Sequence, residues 1–101
     1  MTDALDTLAE HFAEIVAEMP DEFDSHQFIQ TLAHRHQRLY VQALIAYAES
    51  DQPFAALHGQ IARRLGQHTH LVKPQGKTPS TDMFGHRGRA EEWHKASSDP
   101  T

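Results

Sequence analysis

Glutamine and arginine side chains recur on one side of the segment 54–67, where their spacing suits contact with DNA bases. An apolar stripe runs along the other side of this segment at helical spacing, formed by Phe54, Leu57, Ile61 and Leu65. At about 100° per residue, the opposite face carries Gln60, Arg63 and Gln67, with Arg64 on its flank. Arginine and glutamine pair bidentately with guanine and adenine edges in the major groove. The pattern predicts a helix that can read bases.

Four cations follow this helix in a glycine-punctuated stretch, at Lys73, Lys77, Arg87 and Arg89. Lysine and arginine side chains in such a loop can meet backbone phosphates, which position a protein on DNA without reading sequence. The segment also contains Phe84 and Trp93, and a disordered tail seldom carries such residues. We therefore expect a folded basic element after the helix.

A short amphipathic helix with a Gln/Arg face, a β-compatible segment, a basic loop and a tryptophan-bearing return together resemble a winged-helix DNA-binding domain. In that resemblance residues 54–67 are the recognition helix and residues 70–95 the wing, and double-stranded DNA is the implied partner. The resemblance rests on layout, and no family signature is matched. One departure is that the helix preceding residue 54 is predicted to be long, whereas a helix-turn-helix brings a short helix against the reading helix.

The two halves of the chain differ in charge. Residues 1–57 hold two arginines and ten carboxylates, a net charge of −8, whereas residues 58–101 hold seven Lys/Arg and four carboxylates, a net charge of +3. A basic half of this kind suits a polyanion or an acidic protein surface. The alternative to DNA is therefore a protein-interaction module, with a homodimer as one form of it. In a simpler interpretation, Arg63 and Arg64 only solvate a helix C-terminus and interact favourably with its dipole.

Catalytic and metal-binding motifs are not evident in the sequence. The histidines His34 and His36 are two residues apart, a spacing that on a helix points side chains to different faces. His68 and His70 have the same spacing and would share a face in a strand, where a distant carboxylate or His86 could complete a ligand set, but they match no recognised zinc spacing. No HExxH, GxSxG or Walker-type phosphate loop occurs, and there is no cysteine. Ser80, Asp82 and other Ser, His and Asp residues have no recognisable catalytic spacing. We expect a non-enzymatic protein with no metal site and no cofactor.

The elements that must position these residues are predicted to be mainly α-helical. Apolar periodicity predicts three helices near residues 3–19, 25–49 and 54–67. Asp24 and Gln27 fit a capping box, and Phe23 and Phe28 a hydrophobic staple at the start of the second helix. A small irregular or two-stranded, wing-like subdomain at 70–95, with a turn at residues 74–77, should be anchored by Phe84 and Trp93. The chain is then one domain over residues 1–95 with a frayed end at 96–101.

The compartment is predicted from what the chain lacks. The N-terminal residues have neither the positive region nor the apolar run of a signal peptide, and no stretch of about 18 apolar residues occurs that could cross a membrane. The absence of cysteine favours a reducing compartment. We expect a cytoplasmic protein without a membrane partner.

Overall fold

The computed structural model describes residues 3–96, and the predicted frayed end from residue 97 onward lies outside this range. Five helices and a three-stranded antiparallel sheet make up the fold. The elements follow one another as α1 (Ala4–Ala9), α2 (Phe12–Glu18), β1 (Glu22–Asp24), α3 (Ser25–Arg35), α4 (Gln37–Ile45), α5 (Pro53–Gly66), β2 (Val72–Thr81) and β3 (Arg87–Lys95). The prediction of a mainly α fold with three helices and at most two strands is therefore wrong.

The predicted first helix is divided at Glu10 and His11. The His11 backbone N–H donates to the Leu8 carbonyl at 2.9 Å, a bond to the third preceding residue that tightens the end of α1. His11 then has φ −101° and ψ 2°, outside the helical region, and α2 begins at Phe12. Both flanking apolar side chains, Leu8 and Phe12, are fully buried. Both short helices contribute side chains to the same core.

The predicted second helix is divided at His36, which has φ −130° and ψ 57°. No glycine or proline lies between residues 25 and 49, so the sequence contains no helix breaker there. The apolar stripe also passes through this point with helical spacing. The break therefore arises from tertiary packing: buried Leu32 precedes it on α3 and buried Tyr40 follows it on α4.

The start of α3 is the local feature that the sequence predicted correctly. The Asp24 side chain accepts from the Gln27 backbone N–H at 2.9 Å, and the Gln27 side chain accepts from the Asp24 backbone N–H at 2.8 Å. The rings of Phe23 and Phe28 stack with their centroids 6.3 Å apart, as a hydrophobic staple requires. The same residues leading into the cap also form β1, which the sequence did not predict.

The sheet has the strand order β1-β3-β2, so β3 is central and β2 is an edge strand. The turn predicted at residues 74–77 is wrong, because this segment is a bulge within β2, between Pro74 and Gly76. Gly76 has φ +98°, a conformation that accommodates the extra residue, and proline is tolerated on an edge strand. The connecting turn of the hairpin instead lies at residues 82–86.

Trp93 on the central strand joins the sheet to the helices. Its side chain is 4% exposed, it faces Phe23 across the β1–β3 pair, and its Nε1–H donates to the Ser25 hydroxyl at 2.9 Å. A Cβ atom at Gly66 would lie 3.3 Å from the Trp93 ring. Gly66 thus admits the ring at the end of α5, and the helix is capped at Gln67. Phe84, the second predicted anchor, is 51% exposed and does not anchor the core.

Candidate nucleic-acid interface

The outer face of α5 presents part of the predicted base-reading set. Arg63 and Gln67 are exposed, and Gln60 is half-buried. Arg64 is directed elsewhere, because its Nη2 atom lies 2.8 Å from Asp6 Oδ1 on α1. The buried face of the helix consists of Leu57, Ile61 and Leu65. The sequence assigned Phe54 to this face, but Phe54 is 39% exposed.

The hairpin formed by β2 and β3 exposes all four cations predicted to meet phosphates, namely Lys73, Lys77, Arg87 and Arg89. Within residues 3–96, none of the four lies within 4.0 Å of a carboxylate oxygen. Arg87 pairs with Thr81 near the turn, whereas Lys73 pairs with His94 at the other end of the strands. The Arg89 guanidinium also donates to the Lys77 carbonyl at 3.3 Å. The cations therefore spread along the hairpin instead of forming one cluster.

A cleft of about 570 Å³ separates the hairpin from α5 and the start of α3. Lys77 and Arg89 line its hairpin wall, and the opposite wall includes Gly59 and Ala62 of α5. Phe54 and Phe84 meet edge to face across it, with ring centroids 4.8 Å apart. The structure thus brings two of the predicted phosphate-binding residues close to the side of α5.

His58 lies in this cleft and is held by Tyr40. The Tyr40 hydroxyl and His58 Nε2 are 2.6 Å apart and hydrogen-bonded. Burial lowers the pKa of His58 below its ordinary value, nearby His26 lowers it further, and Asp82 opposes the shift. Burial also raises the pKa of Tyr40. His58 is therefore neutral at pH 7 and adds no positive charge to the interface.

A trio of Asp24, Ser80 and His26 connects β2 to the start of α3. The Ser80 hydroxyl donates to Asp24 Oδ2 at 2.8 Å, and His26 Nδ1 lies 2.8 Å from the same hydroxyl. In a hydrolase triad the histidine accepts the serine proton. Here that proton is directed to the carboxylate, so the arrangement is a structural link and not an activated nucleophile.

Asp82 organises the turn of the hairpin and does not join Ser80 in a site. Its Oδ1 atom accepts from the backbone N–H groups of Phe84 and His86, both at 2.9 Å. The bond from His86, followed by that from Phe84, holds the pKa of Asp82 below its ordinary value. The carboxylate therefore serves the backbone of the turn that carries Phe84.

Sequence reasoning missed His26, Tyr40 and His58 as neighbours of the interface. They come from three different helices, so no spacing along the chain connects them. The available signal was the position of His58 on α5, one residue from the apolar stripe.

Comparison of the chain with protein-family models, with curated proteins and with solved structures finds no match. Among the described residues, no helix combines the length and apolar character needed to cross a membrane. The side chains described above are therefore the basis for a functional proposal.

Proposed function

We propose that this protein is a small, non-enzymatic DNA-binding module that uses α5 and the β2–β3 hairpin together, in the manner of a winged-helix domain. The observation that carries the proposal is the pairing of an exposed Gln/Arg helix face with a hairpin of four exposed cations that have no carboxylate partner in the described part of the chain. Glutamine and arginine side chains on a helix can contact base edges, and exposed cations on a hairpin can contact phosphates. We also propose that the protein is cytoplasmic.

The layout around α5 supports this assignment. The sequence suggested a long helix before the reading helix, which a helix-turn-helix does not contain. Because the chain breaks at His36, the helix before α5 is α4, which has nine residues. The hairpin follows α5 directly in the chain, in the position that a wing occupies relative to a recognition helix.

The roles of the side chains follow from their exposure. Arg63 and Gln67 are free to reach base edges, with Gln60 beside them, whereas Lys73, Lys77, Arg87 and Arg89 supply contacts to phosphates. Arg64 contributes to DNA binding only if it leaves Asp6. We therefore expect Arg63 to matter more than Arg64 for affinity.

Fluorescence anisotropy with labelled duplex DNA over a range of salt concentrations tests the proposal. The wild-type protein should bind at low salt and pH 6, with log affinity falling linearly as log salt rises. Combined replacement of Lys77, Arg87 and Arg89 by alanine should reduce the slope by about 2.7, since each phosphate contact contributes about 0.9. Arg63→Ala should weaken binding with a smaller change of slope.

Arg38→Ala is the matched control, because Arg38 is an exposed cation on α4 with no ion pair within residues 3–96. Arg38→Ala changes the net charge by the same amount as Arg63→Ala but should leave the affinity for DNA nearly unchanged. The proposal fails if the wild-type protein does not bind DNA at low salt and pH 6. It also fails if Arg38→Ala has the same effect as Arg63→Ala.

A protein-interaction module is the second candidate, and the exposed apolar side chains of α4 favour it. Val41 and Ile45, one helical turn apart, are 51% and 66% exposed. The basic hairpin of one copy could also meet the acidic helices of another. Sedimentation velocity at increasing concentration distinguishes the candidates: a dimer that Ile45→Lys disrupts, without DNA affinity, supports interaction, and a monomer that binds DNA supports the first proposal.

A further inference from the structure

Two histidines and a glutamate meet in the helical half of the molecule, in the part of the chain that carries no predicted DNA contact. His11 lies between α1 and α2, Glu14 lies in the first turn of α2, and His36 lies between α3 and α4. One nitrogen of each imidazole and one oxygen of the carboxylate all lie within 4.8 Å of one another. The imidazole rings are stacked, with centroids 4.0 Å apart.

The donor atoms are arranged around the Glu14 carboxylate. His11 Nδ1 lies 2.8 Å from Glu14 Oε1 and is hydrogen-bonded to it. His36 Nε2 lies 3.1 Å from Glu14 Oε2, which is within ion-pair distance. The approach does not make a hydrogen bond, however, so the buried Nε2 atom has no hydrogen-bond partner among the described residues. The polar neighbour of this buried nitrogen is a carboxylate oxygen that it does not meet with hydrogen-bond geometry. An ion bound between the two groups is one way to satisfy both.

The two interruptions of the predicted helices create this arrangement. In one continuous helix over residues 25–49, His36 would lie on the apolar stripe between Leu32 and Tyr40. The break instead gives His36 a non-helical backbone, and its ring stacks against the His11 ring. His11 lies at the other break, so both histidines have non-helical backbone conformations between two helices.

We propose that His11 Nδ1, Glu14 and His36 Nε2 bind a divalent transition-metal ion, with Zn²⁺ as the best match. Imidazole nitrogen and carboxylate oxygen are ligands that zinc accepts at about 2.0–2.2 Å. Two ligands at this distance on a tetrahedral ion lie roughly 3.3 Å apart. The two histidine–Glu14 separations, 2.8 and 3.1 Å, are close to this value, and the three donor atoms all lie within 4.8 Å of one another. Water would take the fourth position. Magnesium prefers an all-oxygen environment and fits poorly.

The metal would connect the α1–α2 junction to the α3–α4 junction. These junctions are 25 residues apart in the sequence, and both precede α5. Binding would therefore stabilise the folded chain over the unfolded chain.

A second trio, Glu22, Glu92 and His94, also has its donor atoms close together but has a different character. His94 Nε2 already hydrogen-bonds Glu92 Oε2 at 3.1 Å, and Glu22 is 66% exposed. No buried nitrogen lacks a partner there. This trio provides an internal control for the proposed site.

Isothermal titration calorimetry on the full chain, without a histidine tag and after removal of metal by a chelator, tests the proposal. Zn²⁺ should bind at one equivalent and raise the melting temperature, whereas Mg²⁺ should do neither. Glu14→Gln should weaken zinc binding at least about tenfold, because even the loss of a supporting residue costs that much. His36→Ala should have an equal or larger effect.

His34→Ala and His94→Ala are the control variants, because each removes a histidine outside the proposed site. Both should keep the zinc affinity within about twofold of wild type. Glu14 is exposed, so Glu14→Gln tests the site even if His36→Ala does not fold. The proposal is overturned if wild type binds no zinc at one equivalent, if Glu14→Gln binds like wild type, or if His94→Ala removes the binding.

Discussion

The acidic half of the chain, up to residue 57, is mostly helical, whereas the basic half from residue 58 contains the end of α5 and the two long strands. Their net charges of −8 and +3 suggest two regions that act separately. In the fold they share one core, because β1 of the acidic half pairs with β3 of the basic half. A charge boundary in a sequence is thus not a structural boundary. The cations of the hairpin nevertheless remain exposed and available to a partner.

Four of the side-chain contacts between the halves differ in burial. They are Trp93 with Ser25, Asp24 with Ser80, His58 with Tyr40, and Arg64 with Asp6. Since burial governs how much a contact stabilises, we expect the effects of breaking them to decrease in that order.

Trp93→Ala should have the largest effect, a loss of about 3–5 kcal/mol in the free energy of unfolding. The substitution leaves a cavity between the sheet and α3 and removes the donor to the buried Ser25 hydroxyl. Urea denaturation followed by circular dichroism measures it. Phe84→Ala, at the exposed tip of the same hairpin, should cost less than about 1 kcal/mol. Equal losses for the two variants would mean that the hairpin does not divide into a buried base and an exposed tip.

Asp24→Ala should reduce the free energy of unfolding by about 1–2 kcal/mol, the usual cost of losing an N-cap. The same change removes the acceptor of the Ser80 hydroxyl, so the effect should lie toward the upper end. Urea denaturation again measures it, with Asp21→Ala as the exposed matched control. If Ser80→Ala leaves the free energy of unfolding unchanged in both wild type and Asp24→Ala, the hydrogen bond between Ser80 and Asp24 does not stabilise the fold.

His58 should make stability depend on pH near neutrality. Its pKa is lowered in the folded state from an unfolded value of about 6.5, so below pH 6.5 the unfolded chain binds more protons. The stability that His58 provides is therefore complete above pH 6.5 and is lost as pH falls from there through the folded pKa. Wild type should lose stability more steeply than His58→Gln, by less than about 1.4 kcal/mol per pH unit.

Urea midpoints between pH 7.5 and 5 measure how steeply the stability of each protein falls with pH. The other histidines contribute to this pH dependence equally in both proteins. Parallel curves for wild type and His58→Gln would show that burial of His58 does not disfavour the charged imidazole in the folded state.

The Arg64–Asp6 pair should have the smallest effect, a coupling free energy of about 0.2–1 kcal/mol at low salt. Both side chains are partly exposed, so solvent and salt screen the interaction. A double-mutant cycle with Arg64→Gln and Asp6→Asn measures it, and the coupling should shrink at high salt. Arg63→Gln with Asp6→Asn is the matched cycle and should give no coupling.

Features encoded in a few neighbouring residues could be predicted from the sequence. The capping box of Asp24 and Gln27 and the staple of Phe23 and Phe28 are present as predicted. The helix predicted at 54–67 is found at Pro53–Gly66. The predicted contact residues were chosen from the polar face of that helix and the cations after it, and their role in binding remains a prediction.

Features that depend on distant residues could not be predicted. Nothing local indicates the break at His36, because the apolar stripe continues through it. The bulge at Pro74–Gly76 looks like a turn until the pairing of β2 with β3 is known. The His11, Glu14 and His36 trio also escaped prediction, because 25 residues separate its two histidines.

The sequence by itself determined where most helices begin, which faces are apolar, and how charge is divided along the chain. These depend on periodicity and capping, which act within one or two helical turns. Only the tertiary structure decided that two predicted helices break, that β1 joins the sheet, and that Arg64 is held by Asp6 while the hairpin cations remain exposed. These outcomes depend on burying one core from both halves of the chain, a requirement that acts between residues far apart in sequence.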